Sequence, residues 1–148
     1  MTAEVAEAWD RVYWLMADML IKFEKGLYDE AGVEPGKVFR QVKVVQSDKL
    51  TDDVTLFSIE STDASKPLPA HKPGQYISVR ARLPDGAGQL RQYSLVDDGV
   101  KAGRLSFAVK AVSATESAPA GEVSNWLSEN ARVGTELEVS LPLSLIHI

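Results

Sequence analysis

The run Arg91-Gln92-Tyr93-Ser94 gathers the side chains of this sequence best suited to ligand chemistry. A guanidinium is a planar fork of donors that matches phosphate oxygens. Tyr93 offers a flat aromatic wall for stacking, and Ser94 adds a hydroxyl that donates or accepts. Downstream, Gly121-Glu122-Val123-Ser124-Asn125-Trp126-Leu127 opens a predicted helix. The first N–H groups of a helix lack internal partners and sit at the positive end of its dipole, which favours an anion. Gly121 lets an anion approach the backbone closely. Upstream, Lys72-Pro73-Gly74-Gln75-Tyr76 reads as a turn leading into a strand. Taken singly, each piece has an ordinary structural account. Tyr93 can be a packed strand aromatic, Ser124 a helix cap, and the Gly-Gln-Tyr run a plain turn. Order, spacing and placement on a strand and a helix start give the three runs their weight together.

The elements that must position them follow from periodicity. Thr2 to Ala31 reads as one long helix, with Val5, Trp9, Val12, Met16, Met19, Phe23 and Leu27 recurring at spacings of three and four. Leu15, Leu20 and Ile21 widen this stripe, so the helix expects burial on more than one side. Thr2 is placed to cap its start and Gly32 to end it. Gly32 to Gly36 is a linker by composition. Beyond it the period becomes alternating. Val38 to Val45, Val54 to Ile59, Gln75 to Leu83, Leu90 to Val96, Arg104 to Val112 and Glu136 to Leu141 read as strands. Lys66 to Pro73 is a loop, Ser113 to Ala120 a small and polar loop, and Glu122 to Ala131 a short helix. Six short strands with one short helix imply a mainly β fold, a closed six-stranded antiparallel barrel, preceded by a long α-helix.

Composition sets limits on function. The chain has 148 residues, 45% of them apolar and 25% charged, as in a soluble globular protein. A net charge of −5 without a basic block argues against nucleic acid or an anionic membrane as partner. The sequence has no cysteine, which removes disulfides, iron–sulfur clusters, thiolate metal sites and cysteine nucleophiles. Its two histidines, His71 and His147, have no second ligand at metal-binding spacing, so no metal site is expected. The N-terminus carries Glu4 and Glu7 and lacks the basic start of a secretion signal. The apolar run Trp14 to Ile21 is too short to span a bilayer. A cytoplasmic protein is expected. The last six residues, Leu143 to Ile148, read LSLIHI, which matches one frame of the adapter used in transposon-based sequencing libraries. The expectation is a native sequence stopping at or near Pro142, with 143–148 a non-native tail.

The ordered triplet of a PGQY strand start, an RxYS strand and a GxxS helix start resembles the FAD-binding domain of the ferredoxin-reductase family. The N-terminal helix narrows the resemblance. Glu7-Ala8-Trp9, Tyr13, Leu20-Ile21, Glu24 and Leu27-Tyr28 resemble the last globin helix of the flavohaemoglobins, the nitric oxide dioxygenases, where it likewise precedes the reductase barrel. The resemblance runs nearly to Pro142. It departs in the linker GVEPGKVFRQV, which lacks a Gly-Gly-Trp run, and in the longer Ser113 to Ala120 loop.

The resemblance implies a division into residues 1–31 as the final helix of a truncated globin domain, 32–36 as linker and 37–142 as the FAD-binding barrel. It implies cofactor contacts from Tyr76, Arg91, Gln92, Tyr93, Ser94, Lys110, Gly121, Val123 and Ser124. Strand alternation turns the Gln92 side chain away from the face of Tyr93, and Lys110 reads equally well as a solvated strand lysine. Glu24 matches a glutamate that supports the proximal haem histidine in that family, a hydrogen bond that makes the iron ligand more electron-donating. A charge at the rim of the apolar stripe is its plainer account. In the family, electrons pass from NAD(P)H through FAD to haem, and O₂ and NO become nitrate. Sites for haem and NAD(P)H are expected to lie in globin and NAD-binding domains beyond these residues, so the segment alone is expected to be inactive. Two other readings stay open: the flavin module of another ferredoxin-reductase-type oxidoreductase, and a non-catalytic β-barrel binding module.

Overall fold

Alternating β-branched and polar residues after position 37 build strands, and a computed structural model describes them together with the helices, covering residues 2–30, 37–82, 86, 88–96 and 103–143. The element order is α1 (Ala3–Glu30), β1 (Phe39–Lys49), β2 (Val54–Ser61), β3 (Tyr76–Arg82), β4 (Gly88–Ser94), β5 (Arg104–Lys110), α2 (Glu122–Asn130) and β6 (Glu136–Ser140). The chain divides into two compact units, Met1–Val38 and Phe39–Ile148. The expected linker, with Gly32, lies outside the described residues, as does the tail beyond Leu143.

The first unit is α1. Its backbone ladder starts with Ala6 N–H donating to the Thr2 carbonyl, and its apolar stripe is exposed, Trp9 and Leu20 at 65% each. No helix among the described residues is long and apolar enough to cross a membrane.

In the second unit all six strands form one antiparallel sheet, in the order β4-β3-β6-β1-β2-β5. Alternation sends Val42 and Val44 of β1, Phe57 and Ile59 of β2, and Ile77 and Val79 of β3 into a common core. β1 outruns its expected end at Val45. A bulge between Val44 and Gln46 resets the register, and the polar run Gln46 to Lys49 then pairs with Thr55 to Ser58. Ser58 and Ser106 lie directly opposite one another and share a hydrogen bond of 3.0 Å, which satisfies two buried hydroxyls. α2 buries Val123 and Leu127 against the same core.

The curled sheet closes at one corner. Leu95 bridges Phe107, and Val96 N–H donates to the Ser106 carbonyl. Otherwise, among the described residues, β4 pairs only with β3. A seam therefore runs along the far edge of β4, where the sequence predicted a fully closed barrel. The strand count, the antiparallel pairing and both helices stand as expected.

Candidate functional site at the seam between β4 and β5

The turn Lys72-Pro73-Gly74-Gln75 launches β3. Gln75 N–H donates to the Lys72 carbonyl at 3.2 Å, and Gly74 has φ +84°. This is the type II arrangement, with proline where φ is fixed and glycine where φ must be positive. Lys72 N–H also donates to Gln75 Oε1 at 2.7 Å. Upstream, Leu68 is fully buried and its carbonyl accepts from Gly103 N–H, so the proline-rich loop is tied to the barrel.

Register then decides which motif residues share a face. Tyr93 lies opposite Ile77, Arg91 opposite Val79, and Gln89 opposite Ala81, all of them partners with buried side chains. Gln89, Arg91 and Tyr93 thus form one row. The ring of Tyr93 leans on Phe107, with centroids 5.4 Å apart and planes tilted by 34°. Burial pushes its phenol above the ordinary tyrosine range, and the nearby Arg91 charge offsets part of this. Arg91 is exposed, donates from Nη1 to the Leu90 carbonyl at 2.8 Å and from Nη2 to Gln89 Oε1 at 2.9 Å, and has further N–H groups to offer.

Tyr76, Gln92 and Ser94 fall on the opposite face, Tyr76 directly across from Ser94 and Gln92 from Ser78. Ser94 and Gln92 still reach the seam through their main chain. Leu95 N–H points at β3, where it donates to Gln75. By alternation the main-chain groups of Leu90, Gln92 and Ser94 point to the free edge. That edge carries donors and acceptors beside an aromatic wall.

α2 stands at the other end of this row. Gln89 Nε2 donates to Glu122 Oε2, which ties β4 to the first turn of α2. The helix ladder starts with Asn125 N–H donating to the Gly121 carbonyl, so Glu122, Val123 and Ser124 carry the N–H groups that no helical carbonyl can reach. The Ser124 hydroxyl is already engaged: it donates to the Gly121 carbonyl at 3.1 Å and accepts from Val112 N–H at 3.3 Å. Gly121 N–H donates to the Val112 carbonyl, and Asn125 Nδ2 reaches the same carbonyl. These bonds cinch the neck of the Ser113 to Ala120 loop. A Cβ on Gly121 would stand 2.6 Å from Ser124 Oγ and 3.1 Å from Val112 Cβ, so the neck itself demands glycine.

Two of the expected site residues lie elsewhere. Lys110 Nζ is 3.4 Å from Asp53 Oδ2, with its side chain 71% exposed, and strand alternation sets it on the face opposite Phe107 and Val109. Asp53 is held below the usual carboxylate range first by the Thr51 hydroxyl and then by Lys110. Glu24 is exposed on α1, within the other unit. Gln89, Glu122 and Phe107 were not singled out from sequence. Gln89 carried a signal, since two residues before Arg91 on a strand means the same face. A groove of about 440 Å³ lined by Gln41, Arg80, Trp126, Thr135, Glu136, Leu137 and Glu138 contains none of the expected site residues. Within it Arg80 pairs with Glu138 at 2.9 Å and lies 4.3 Å over the ring of Phe39, so that pair is internally satisfied. No cluster that could hold a metal occurs among the described residues.

An open strand edge, an aromatic wall, an arginine and a helix N-terminus come together on a ferredoxin-reductase-type barrel, a set of groups chemically suited to a planar ring that carries phosphates. Residues 41–148 match the oxidoreductase FAD-binding domain family. Flavohemoproteins of Chromobacterium violaceum and Halalkalibacterium halodurans are each 37% identical over 142 residues, 94% of this chain but 35% and 34% of theirs. The flavohemoglobin of Malassezia yamatoensis, solved with bound FAD and heme, superposes with a TM-score of 0.71 at 33% identity, covering 97% of this chain and 34% of that one. Phthalate dioxygenase reductase gives a TM-score of 0.58 at 26% identity and covers 74% of this chain and 31% of its own. The chain belongs to the oxidoreductase FAD-binding domain family, in its flavohaemoprotein branch. The two coverages separate the branches. The reductase match leaves about a quarter of the chain unmatched, whereas the flavohemoglobin match spans nearly all of it, α1 included. The chain spans about a third of the length of the flavohaemoproteins it matches.

Proposed function

We propose that the seam holds FAD, and that the chain is the flavin station of a nitric oxide dioxygenase which converts NO and O₂ to nitrate with electrons from NAD(P)H. The observation that carries this reading is the meeting of two distant motifs. The Gln89–Glu122 bond brings the row of Arg91 and Tyr93 up to the N-terminus of α2. In this reading Tyr93 backs the ring system. Arg91 and the N–H groups of Val123 and Ser124 bind the pyrophosphate, with Gly121 setting the start of that helix. The main chain of Gln92 and Ser94 meets the ring's polar edge, with the Ser94 hydroxyl and Tyr76 at its margin. The donor set fits an anion beside an aromatic plane: a planar fork plus oriented N–H groups. FAD, when bound, supplies the change from two-electron to one-electron transfer.

The remaining assignments follow the same reading. Residues 1–31 are the last helix of a globin domain, 32–36 a linker and 37–142 the FAD-binding barrel. Glu24 supports the haem's proximal ligand, whereas Lys110, paired with Asp53 on the other face of β5, takes no part in the flavin site. The parent protein adds a haem-bearing globin domain and an NAD(P)H-binding domain, and works in the cytoplasm. Flavin titration of the 148-residue chain by fluorescence quenching tests the core of this. FAD should bind at least tenfold more tightly than FMN, and equal affinities would remove the pyrophosphate site. Haem absorbance of the complete gene product tests the parent assignment.

A further inference from the structure

Gln89 lies between a cation and an anion, and both ends of its amide are used. Its Oε1 accepts from Arg91 Nη2 at 2.9 Å, while its Nε2 donates to Glu122 Oε2. The polarity of the amide is fixed by these partners, because a flipped amide would set NH₂ against the guanidinium and oxygen against the carboxylate. Arg91 is tethered a second time through Nη1 to the Leu90 carbonyl at 2.8 Å. A surface arginine normally spreads over many rotamers, and ordering it on ligand binding costs side-chain entropy. Here the ordering precedes the ligand.

We infer that Gln89 is a positioning residue for the cofactor's phosphates: it pre-orders Arg91 and keeps the Glu122 carboxylate from pairing with it. This rests on the proposed flavin site. The amide stands between Arg91 and an acidic residue in the first turn of α2. An Arg–Glu pair there would cancel the positive charge the pyrophosphate needs and put a carboxylate where an anion must come. Glu122 therefore has two effects that Gln89 reconciles. It suits the helix dipole and it anchors the amide, yet it stays off the guanidinium. The proposal assigns a role to a residue outside the RxYS and GxxS runs, one that couples them.

The test is a cycle of variants of the 148-residue chain, read as FAD dissociation constants by flavin fluorescence quenching at fixed ionic strength. Gln89→Ala should weaken FAD about three- to tenfold, the range of one lost hydrogen bond, with the far-UV circular dichroism of the apoprotein unchanged. In an Arg91→Ala background the same substitution should change affinity less than twofold, because Gln89 acts through Arg91. The exchange Gln89→Glu with Glu122→Gln keeps net charge but sets a carboxylate directly on the Arg91 guanidinium, so it should weaken FAD at least as much as Gln89→Ala. A merely structural Gln89 would not give this pattern. Equal losses with and without Arg91, or no loss in Gln89→Ala while Arg91→Ala is weakened, overturn the positioning role and leave the flavin site standing. An Arg91→Ala variant that binds FAD as well as the unmodified chain overturns the flavin-site reading and this inference together.

Discussion

Tyr93→Ala separates a cofactor wall from an ordinary core aromatic. The ring is half-buried, leans on Phe107 at 5.4 Å and lies across from Ile77. A tyrosine brings about 150–250 Å² of surface. Half of that, about 100 Å² already covered by protein, is worth about 2.5 kcal/mol at about 25 cal/mol per Å². The aromatic pair adds about 0.5–1.5 kcal/mol. The apoprotein should therefore lose about 3 kcal/mol in urea unfolding. The outward half of the ring is what a flavin would cover, so FAD binding should lose about 2 kcal/mol, close to thirtyfold. Tyr93→Phe keeps the ring and should stay within about threefold on FAD. The paired measurement is urea unfolding of the apoprotein with flavin titration of the same samples. If Tyr93→Ala destabilises the fold as calculated yet binds FAD within twofold of the unmodified chain, the ring serves the core alone. The seam would then not be the flavin's place.

Ser124→Ala should cost about 1–2 kcal/mol of stability in urea, because it leaves Val112 N–H without its acceptor at the loop neck. FAD affinity should move less than threefold, since the hydroxyl is turned inward and only the backbone N–H faces the site. Apoprotein stability should fall as pH rises past about 10. The Tyr93 phenol is raised in the folded chain, so the unfolded chain loses this proton first, and the stabilisation present below the unfolded pKa is lost through the folded one. Urea midpoints across pH 9–11 should show a shallower fall for Tyr93→Phe. The exposed apolar stripe of α1 should drive association. Light scattering after size exclusion should find oligomers for the 148-residue chain and a monomer once residues 1–36 are deleted, whereas a monomeric full chain would refute this.

What the sequence made legible was whatever depends on local spacing. The period of Val5 to Phe23 marked α1, and β-branched alternation marked six strands, because a side chain's face follows from its position along its own element. The turn at Pro73-Gly74 was legible for the same reason. What stayed hidden depends on partners far along the chain. Gln46 to Lys49 lie beyond the alternating run that ends at Val45, and they are strand because a bulge brings them to Thr55 to Ser58. The seam could not be read either. It exists because β4 and β5 fall at the two ends of the strand order and, among the described residues, come together only around Phe107, through Tyr93, Leu95 and Val96. Ser124 shows the limit for side chains. Its position two residues into a helix suited a ligand, but Val112, twelve residues earlier, arrives through the loop neck and takes its oxygen.

The seam also makes barrel stability and cofactor binding one quantity. A strand edge left with open donors and acceptors is a liability that proteins normally cover with a helix, a bulge or charge. Here α2 reaches only the far end of the row, through Glu122 and Gln89, and the Leu95–Phe107 bridge holds the near end. A ligand lying along β4 between these two points would touch both and bridge the edge. Because such a ligand binds the folded barrel and not the unfolded chain, it stabilises by RT ln(1 + [L]/Kd), about 2.7 kcal/mol at a hundredfold excess over Kd. Hydrogen exchange should show where that stabilisation lands. Amides of Leu90, Gln92 and Ser94, which point at the open edge, should gain protection on adding FAD, while those of β1 and β2 change only with global stability. Protection that rises evenly across all strands would mean a flavin bound away from the seam. Protection confined to β4 and the first turn of α2 would put the cofactor where Arg91, Tyr93 and the helix N-terminus converge.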